Sequence, residues 1–249
     1  MDFKQSTINE ILVSEKEMVL RGAERYGAYY DNASEFINLL NNGMIKSIDH
    51  DRYVFAIFLA QTKKHLTLAF FSALRLHYVQ TMMNLRQVLE AGGCAAYAIA
   101  NIDPDDFADE REDGTLDPTQ KLTRKRYAWL DNNYPAGSAA IKGMKDGVNE
   151  IGTHSNIITA QQNFKIDLEA GLLRTPFFDY EDEMLIKTDL WQIANIALGI
   201  MDLFYGVNLE FGVIKIQENW SDKFKTLANE NMRLKEEMLE YERLKKFIK

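Results

Sequence analysis

One cysteine, four prolines and a deficit of positive charge are the first features of this sequence. With Cys94 alone, no internal disulfide and no cysteine-rich zinc site can form, and the chain suits a reducing compartment. Proline is the strongest interior helix breaker, so 249 residues with only four of them leave room for long helices. Lys and Arg total 29 against 37 Asp and Glu, a formal net charge of −8. That balance excludes a generally basic nucleic-acid binder, although not a local basic patch. The opening MDFKQSTINE lacks the apolar core of a signal peptide, and the apolar stretches at 91–102 and 190–201 are too short to span a bilayer. The expectation is a soluble cytoplasmic protein with no membrane contact. Walker, GxGxxG, HExxH and GxSxG motifs are missing, as is the Glu-x-x-His pair of di-iron bundles. No cofactor is expected.

What is present is helical periodicity. Hydrophobic residues make up 46% of the chain, enough for a real core. Ser6 or Thr7 followed by Glu10 predicts a capping box, and Ile8, Ile11, Leu12, Val19, Ala23 and Tyr26 recur at helical spacing. A break is expected at 31–34, then a shorter helix closed by Asn41-Asn42-Gly43. Residues 51–101 contain no proline and would form a rod of roughly 75 Å if unbroken, so a bend is expected, with Gly92-Gly93 a candidate. The acidic connector at 103–117 lacks EF-hand spacing and reads as a solvated loop. Asp117-Pro118 then predicts a helix start, and another helix is expected from about Ser138 to Ile151. Alternation around Glu169-Ala170-Gly171 predicts a β-hairpin from 163–168 and 172–180. A long helix follows from Asp182; at 206–216, helix continuation and a short extended link both remain open.

The tail carries the clearest pattern. Trp220, Phe224, Leu227, Asn231, Leu234, Met238, Tyr241, Lys245 and Ile248 alternate steps of four and three, the spacing of a coiled-coil seam with Asn231 as its polar position. Such a stripe must be covered by a second copy, by another protein or by the chain's own body. The expected architecture is therefore all-α: a helical bundle over 1–217 with a small β-hairpin insertion, and a coiled-coil-like helix over 218–249. A homodimer, or a protein partner held through 220–248, is the corresponding expectation.

Three groups of residues are candidates for chemistry. On one helical face, Arg75, Val79, Met82, Arg86, Glu90, Gly93 and Tyr97 line up, and Arg86 and Glu90 are spaced to form an ion pair. A buried structural pair and a ligand-binding or catalytic cluster both fit that face. Ala140, Gly143, Gly147, Ile151 and His154 share another face, where small residues would admit a neighbouring helix and His154 could transfer protons. Lys121, Arg124, Lys125 and Arg126 run beside Tyr127 and Trp129, a pattern that suits phosphates and a stacked base or simply a solvated helix face.

The segment LRLHYVQTMMNLRQVLEAGGCAAYAI, followed by GVNEIGTHSNI, resembles the HEPN superfamily of helical domains over about 51–205. The resemblance implies a nucleotide- or RNA-associated bundle, with a defence or toxin-like module among the roles it admits. Catalytic members pair a histidine with an arginine four to six intervening residues upstream. His154 matches the histidine, but Gly147, Val148 and Asn149 stand at the arginine positions, so the standard RNase motif is missing. Arg86 and Glu90 would join His154 as catalytic groups only through tertiary packing. Arg75, Tyr97, Arg124, Lys125 and Arg126 would contact ligand. The alternative is a noncatalytic interaction or scaffold protein assembling through its tail.

Overall fold

The Thr7–Glu10 capping box forms as expected: Thr7 N–H donates to the Glu10 carboxylate at 2.7 Å, and the Thr7 hydroxyl accepts from Glu10 N–H at 3.3 Å. The structure, a computed structural model, describes residues 6–118, 122–152, 165–167, 172–174, 177–179 and 182–241. From this cap run α1 (Ile8–Leu20), α2 (Gly22–Tyr26) and α3 (Ala28–Asn38). The break falls at Gly27, not at 31–34. Gly27 takes φ +51°, whereas Asn32 and Ala33 are buried inside α3. A π-helical turn, Leu39–Gly43, closes this rod on Asn41-Asn42-Gly43.

Two long helices pack together next, α4 (Tyr53–Leu74) and α5 (Tyr78–Ala100). The chain bends between them at 75–77, where Leu76 takes φ +57°, and not at Gly92-Gly93. Those glycines serve packing instead. A Cβ on Gly92 would stand 2.4 Å from Ile200 Cδ1, so its absence lets a later helix approach α5 closely.

Helices α6 (Leu122–Asn133) and α7 (Pro135–Gly152) complete one side of the bundle. Asp117-Pro118 does not start α6: it belongs to β3 (Leu116–Pro118), which pairs antiparallel with β2 (Ala108–Glu110). An Arg111–Asp117 ion pair at 2.5 Å and Gly114 at φ +79° hold that hairpin's end. α7 begins at Pro135, earlier than Ser138, because proline's fixed φ suits a first helical turn. The expected hairpin forms as β4 (Lys165–Asp167) with β5 (Leu172–Arg174).

The central element is α8 (Glu183–Phe211), capped by Asp182 and ended at Gly212, φ +65°. Its 29 residues suffice by length and composition to cross a bilayer, which corrects the shorter apolar span read at 190–201. Here its apolar residues are core: Leu190, Ile193, Ile196, Ala197, Ile200 and Phe204 are fully buried, against α3, α4, α5 and α7. Beyond Gly212, β6 (Ile214–Ile216) pairs antiparallel with β1 (Ile45–Ile48), which settles the open reading at 206–216. The fold is all-α, with short antiparallel strand pairs at its margins.

Helix α9 (Trp220–Leu239) lays its seam on the chain's own body, against α3, α8 and the π-turn. Trp220, Asn231, Leu234 and Met238 are buried. Asn231 is a polar core position, but its partner is internal: Asn32 Nδ2 donates to Asn231 Oδ1 at 2.9 Å. Trp191 Nε1 donates to the Asn231 carbonyl, also at 2.9 Å. Lys245 and Ile248 lie outside the described residues.

Candidate functional site

The polar seam is organised by Glu90, one turn after Arg86 on α5. Arg86 Nε donates to Glu90 Oε1 at 3.2 Å, and Lys145 Nζ from α7 reaches the same oxygen at 2.8 Å. With side chains 36% and 30% exposed, Arg86 and Glu90 form the half-buried pair that their spacing predicts. Burial alone would raise the Glu90 carboxyl. Hydrogen bonds and charge from Lys145 and Arg86 outweigh it and hold Glu90 below its usual value.

Lys145 reaches Glu90 because α7 turns inward the face opposite to the expected one. Ser138, Ile141 and Val148 are buried, whereas Ala140, Gly143 and Gly147 are exposed. Among the described residues, nothing would meet a Cβ on Gly143 or Gly147, so those glycines admit no neighbouring helix. His154 lies outside the described residues.

The basic run of α6 does not form one patch, because a helix sends consecutive residues in different directions. Arg124 is exposed. Lys125 Nζ instead binds Asp106 Oδ1, and Tyr97 donates its hydroxyl to Asp106 Oδ2 at 3.2 Å. Tyr97 is buried, and burial followed by Asp106 pushes its hydroxyl up to about 12. It anchors the acidic connector to α5 and does not line the open seam. Asp106 is thus a committed partner within a segment read from sequence as a solvated loop.

Arg126 points inward and is 4% exposed. Its Nη1 donates to the Glu90 carbonyl at 3.0 Å and to Cys94 Sγ at 2.8 Å. Gly93 makes room for its stem: a Cβ there would stand 3.3 Å from Arg126 Cδ. Burial pushes the Cys94 thiol up, partly opposed by the Arg126 charge. The Tyr127 ring lies among three cations, with Arg126 Cζ at 4.6 Å, Lys142 Nζ at 5.4 Å and Lys145 Nζ at 5.7 Å from its centroid. Lys142 also grips Asp131 at 2.6 and 2.7 Å, and Ser138 donates to Asp131 at 2.6 Å.

Arg75 is absent from this seam because the bend at 75–77 puts it on the α4 cap, before α5 begins. There its Nε donates to Phe71 O at 3.0 Å and its guanidinium approaches Glu15 at 3.8 Å. The same corner holds His77, which has no acidic or histidine partner at ligand spacing in the sequence, together with Glu15, Asp179 and Asp189, which the sequence reading did not single out. His77 meets Glu15 at 3.2 Å and stacks on Phe178, while Asp179 accepts from Tyr78 N–H at 2.6 Å. Asp189 of α8 is buried nearby, and burial, then the Asp179 charge, raises its carboxyl. A lone aspartate inside IKTDLWQIANIALGI was the available signal. Lys145 carried one too, lying between Ile141 and Val148 on the apolar stripe of α7.

Among the described residues, no group of three or more His, Cys, Asp or Glu side chains could hold a metal ion. The seam is instead equipped for anions. Three cations (Arg126, Lys142 and Lys145) lie around the Tyr127 ring, Arg86 joins them through Glu90, and Glu90 and Asp131 are the carboxylates paired with this group. Comparison with protein families, curated proteins and solved structures finds nothing that matches this chain.

Proposed function

We propose that this chain is a cytoplasmic, HEPN-like nucleotide- or RNA-binding protein that holds phosphate at the seam of α5, α6 and α7 without using Glu90 for proton transfer. The observation that supports this reading is one connected network in which Arg86, Arg126, Lys142 and Lys145 outnumber Glu90 and Asp131, three of the cations lying over the Tyr127 ring, within a chain of net charge −8. Phosphate would gain from the unmatched positive charge, while the Tyr127 face offers a surface on which a base can stack. Glu90 is ionised and committed to two cations, which suits it to orienting Arg86 and Lys145 rather than to exchanging protons near neutrality.

The test is fluorescence anisotropy with labelled single-stranded RNAs and nucleotide analogues across a salt series. Binding should weaken as salt rises. Lys142→Ala should weaken it for every sequence and reduce the salt slope by about 0.7, as expected for one lost single-strand phosphate contact. Absence of binding at low salt for all probes, or an unchanged slope in Lys142→Ala, would remove the seam as a phosphate site.

A further inference from the structure

Away from the seam, a cleft of about 540 Å³ opens between the π-turn after α3 and the first turns of α9. Small-molecule sites commonly enclose roughly 300–1,000 Å³. Leu39 and Leu227 supply its apolar surface, with Glu35, Asn38 and Asn42 on one wall and Asp222 on the other. The polar groups here have unused capacity. Glu35 receives one long bond, from Asn38 Nδ2 at 3.4 Å. Among the described residues, the side chains of Asn42, Asp222 and Lys223 make no hydrogen bond or ion pair.

We propose that this cleft binds a primary alkylammonium group, with its aliphatic stem over Leu39 and Leu227 and its head between Glu35 and Asp222. An ammonium has three donors. The two carboxylates and the amide oxygen of Asn42 provide three acceptors from the two facing walls. Charge-assisted bonds of this kind are stronger than neutral ones, and the leucines take the methylene stem out of water. Lys223, at the same cleft, repels a second positive centre, so a ligand with one ammonium is preferred to a diamine. The chemistry is that of a lysine side chain or of a small free amine.

Isothermal titration of the full chain with Nα-acetyl-lysine methylamide and with 1,5-diaminopentane tests this site. Saturable binding at millimolar or lower concentration is expected, with the lysine amide tighter. Tighter binding of the diamine would overturn the proposal, because Lys223 should repel its second ammonium. Glu35→Gln and Asp222→Asn should each weaken the preferred ligand about tenfold. Their unliganded melting temperatures should stay within about a degree of the parent, as expected at exposed positions. No saturable binding of either amine, or equal binding in parent and variants, would overturn the proposal. So would equally tight binding of Nα-acetyl-arginine methylamide, since a planar guanidinium presents different donor geometry.

Discussion

The seam of α5, α6 and α7 and the cleft beside the π-turn both collect charged and amide side chains from facing elements, but they use them oppositely. In the seam, Glu90, Asp131 and Arg126 each have short contacts to partners on another element. In the cleft, Asp222 and Lys223 have none among the described residues, and Glu35 has only Asn38. For Glu90 and Arg126 the difference follows burial, whereas Asp131 pairs with Lys142 at the exposed edge of the seam. A charge withdrawn from water must find a partner, so the half-buried groups of the seam tie helices together. Groups at the cleft mouth keep their water and can exchange it for a ligand.

Removing a wall of the cleft is expected to have the largest effect, because α9 is also core. Each large apolar side chain buried contributes roughly 1.5–3 kcal/mol, and α9 buries Trp220, Leu234 and Met238. Truncation after Gln217 should therefore cost about 5 kcal/mol or more and abolish cooperative melting, read by circular dichroism with light scattering for aggregates. A folded monomeric remainder would show that α9 is an appendage, and the cleft would then lack a fixed second wall.

Arg126→Ala comes next, at about 3 kcal/mol in urea unfolding, since it strips a buried cation from Glu90, Cys94 and Tyr127. Arg126→Met should cost less, because it retains much of the stem against Gly93. Equal costs for the two would assign the stabilisation to the guanidinium alone.

The smallest of the three is Glu90→Gln, at about 1 kcal/mol near neutral pH, because the pair is only half-buried. Its pH dependence has a definite sign. Glu90 is held below its unfolded value of about 4.3, so its contribution is full above that value and is lost as pH falls through the lower folded-state value. Parent and variant stabilities should converge as pH falls below the folded-state value. A difference that persists in acid would mean that packing, not charge, makes the contribution.

Much of the framework was legible because it is local. The Thr7–Glu10 cap, the hairpin around 169–171, the Arg86–Glu90 pair and the four-three spacing of the tail each depend on neighbours within a few residues. The candidate site was legible only where that held. Arg86 and Glu90 meet as their spacing requires, but Arg75 left their face because the helix breaks at 75–77 instead of at Gly92-Gly93. A glycine pair reads equally as a break or as a close contact, and only Ile200, more than a hundred residues away, distinguishes them.

By itself, then, the sequence determined the all-α class, the helix starts at Thr7 and Asp182 and the amphipathic stripes, since propensity and periodicity act over one or two turns. Tertiary structure decided what each stripe faces. It put Lys145 on Glu90, buried Arg126 from a run that reads as solvated, and joined β1 to β6 across most of the chain. It also gave the seam of α9 an internal partner in α3 and α8. The physical reason is that burial is non-directional: an apolar or polar stripe specifies that it needs a partner, while the packing of the whole chain selects which one.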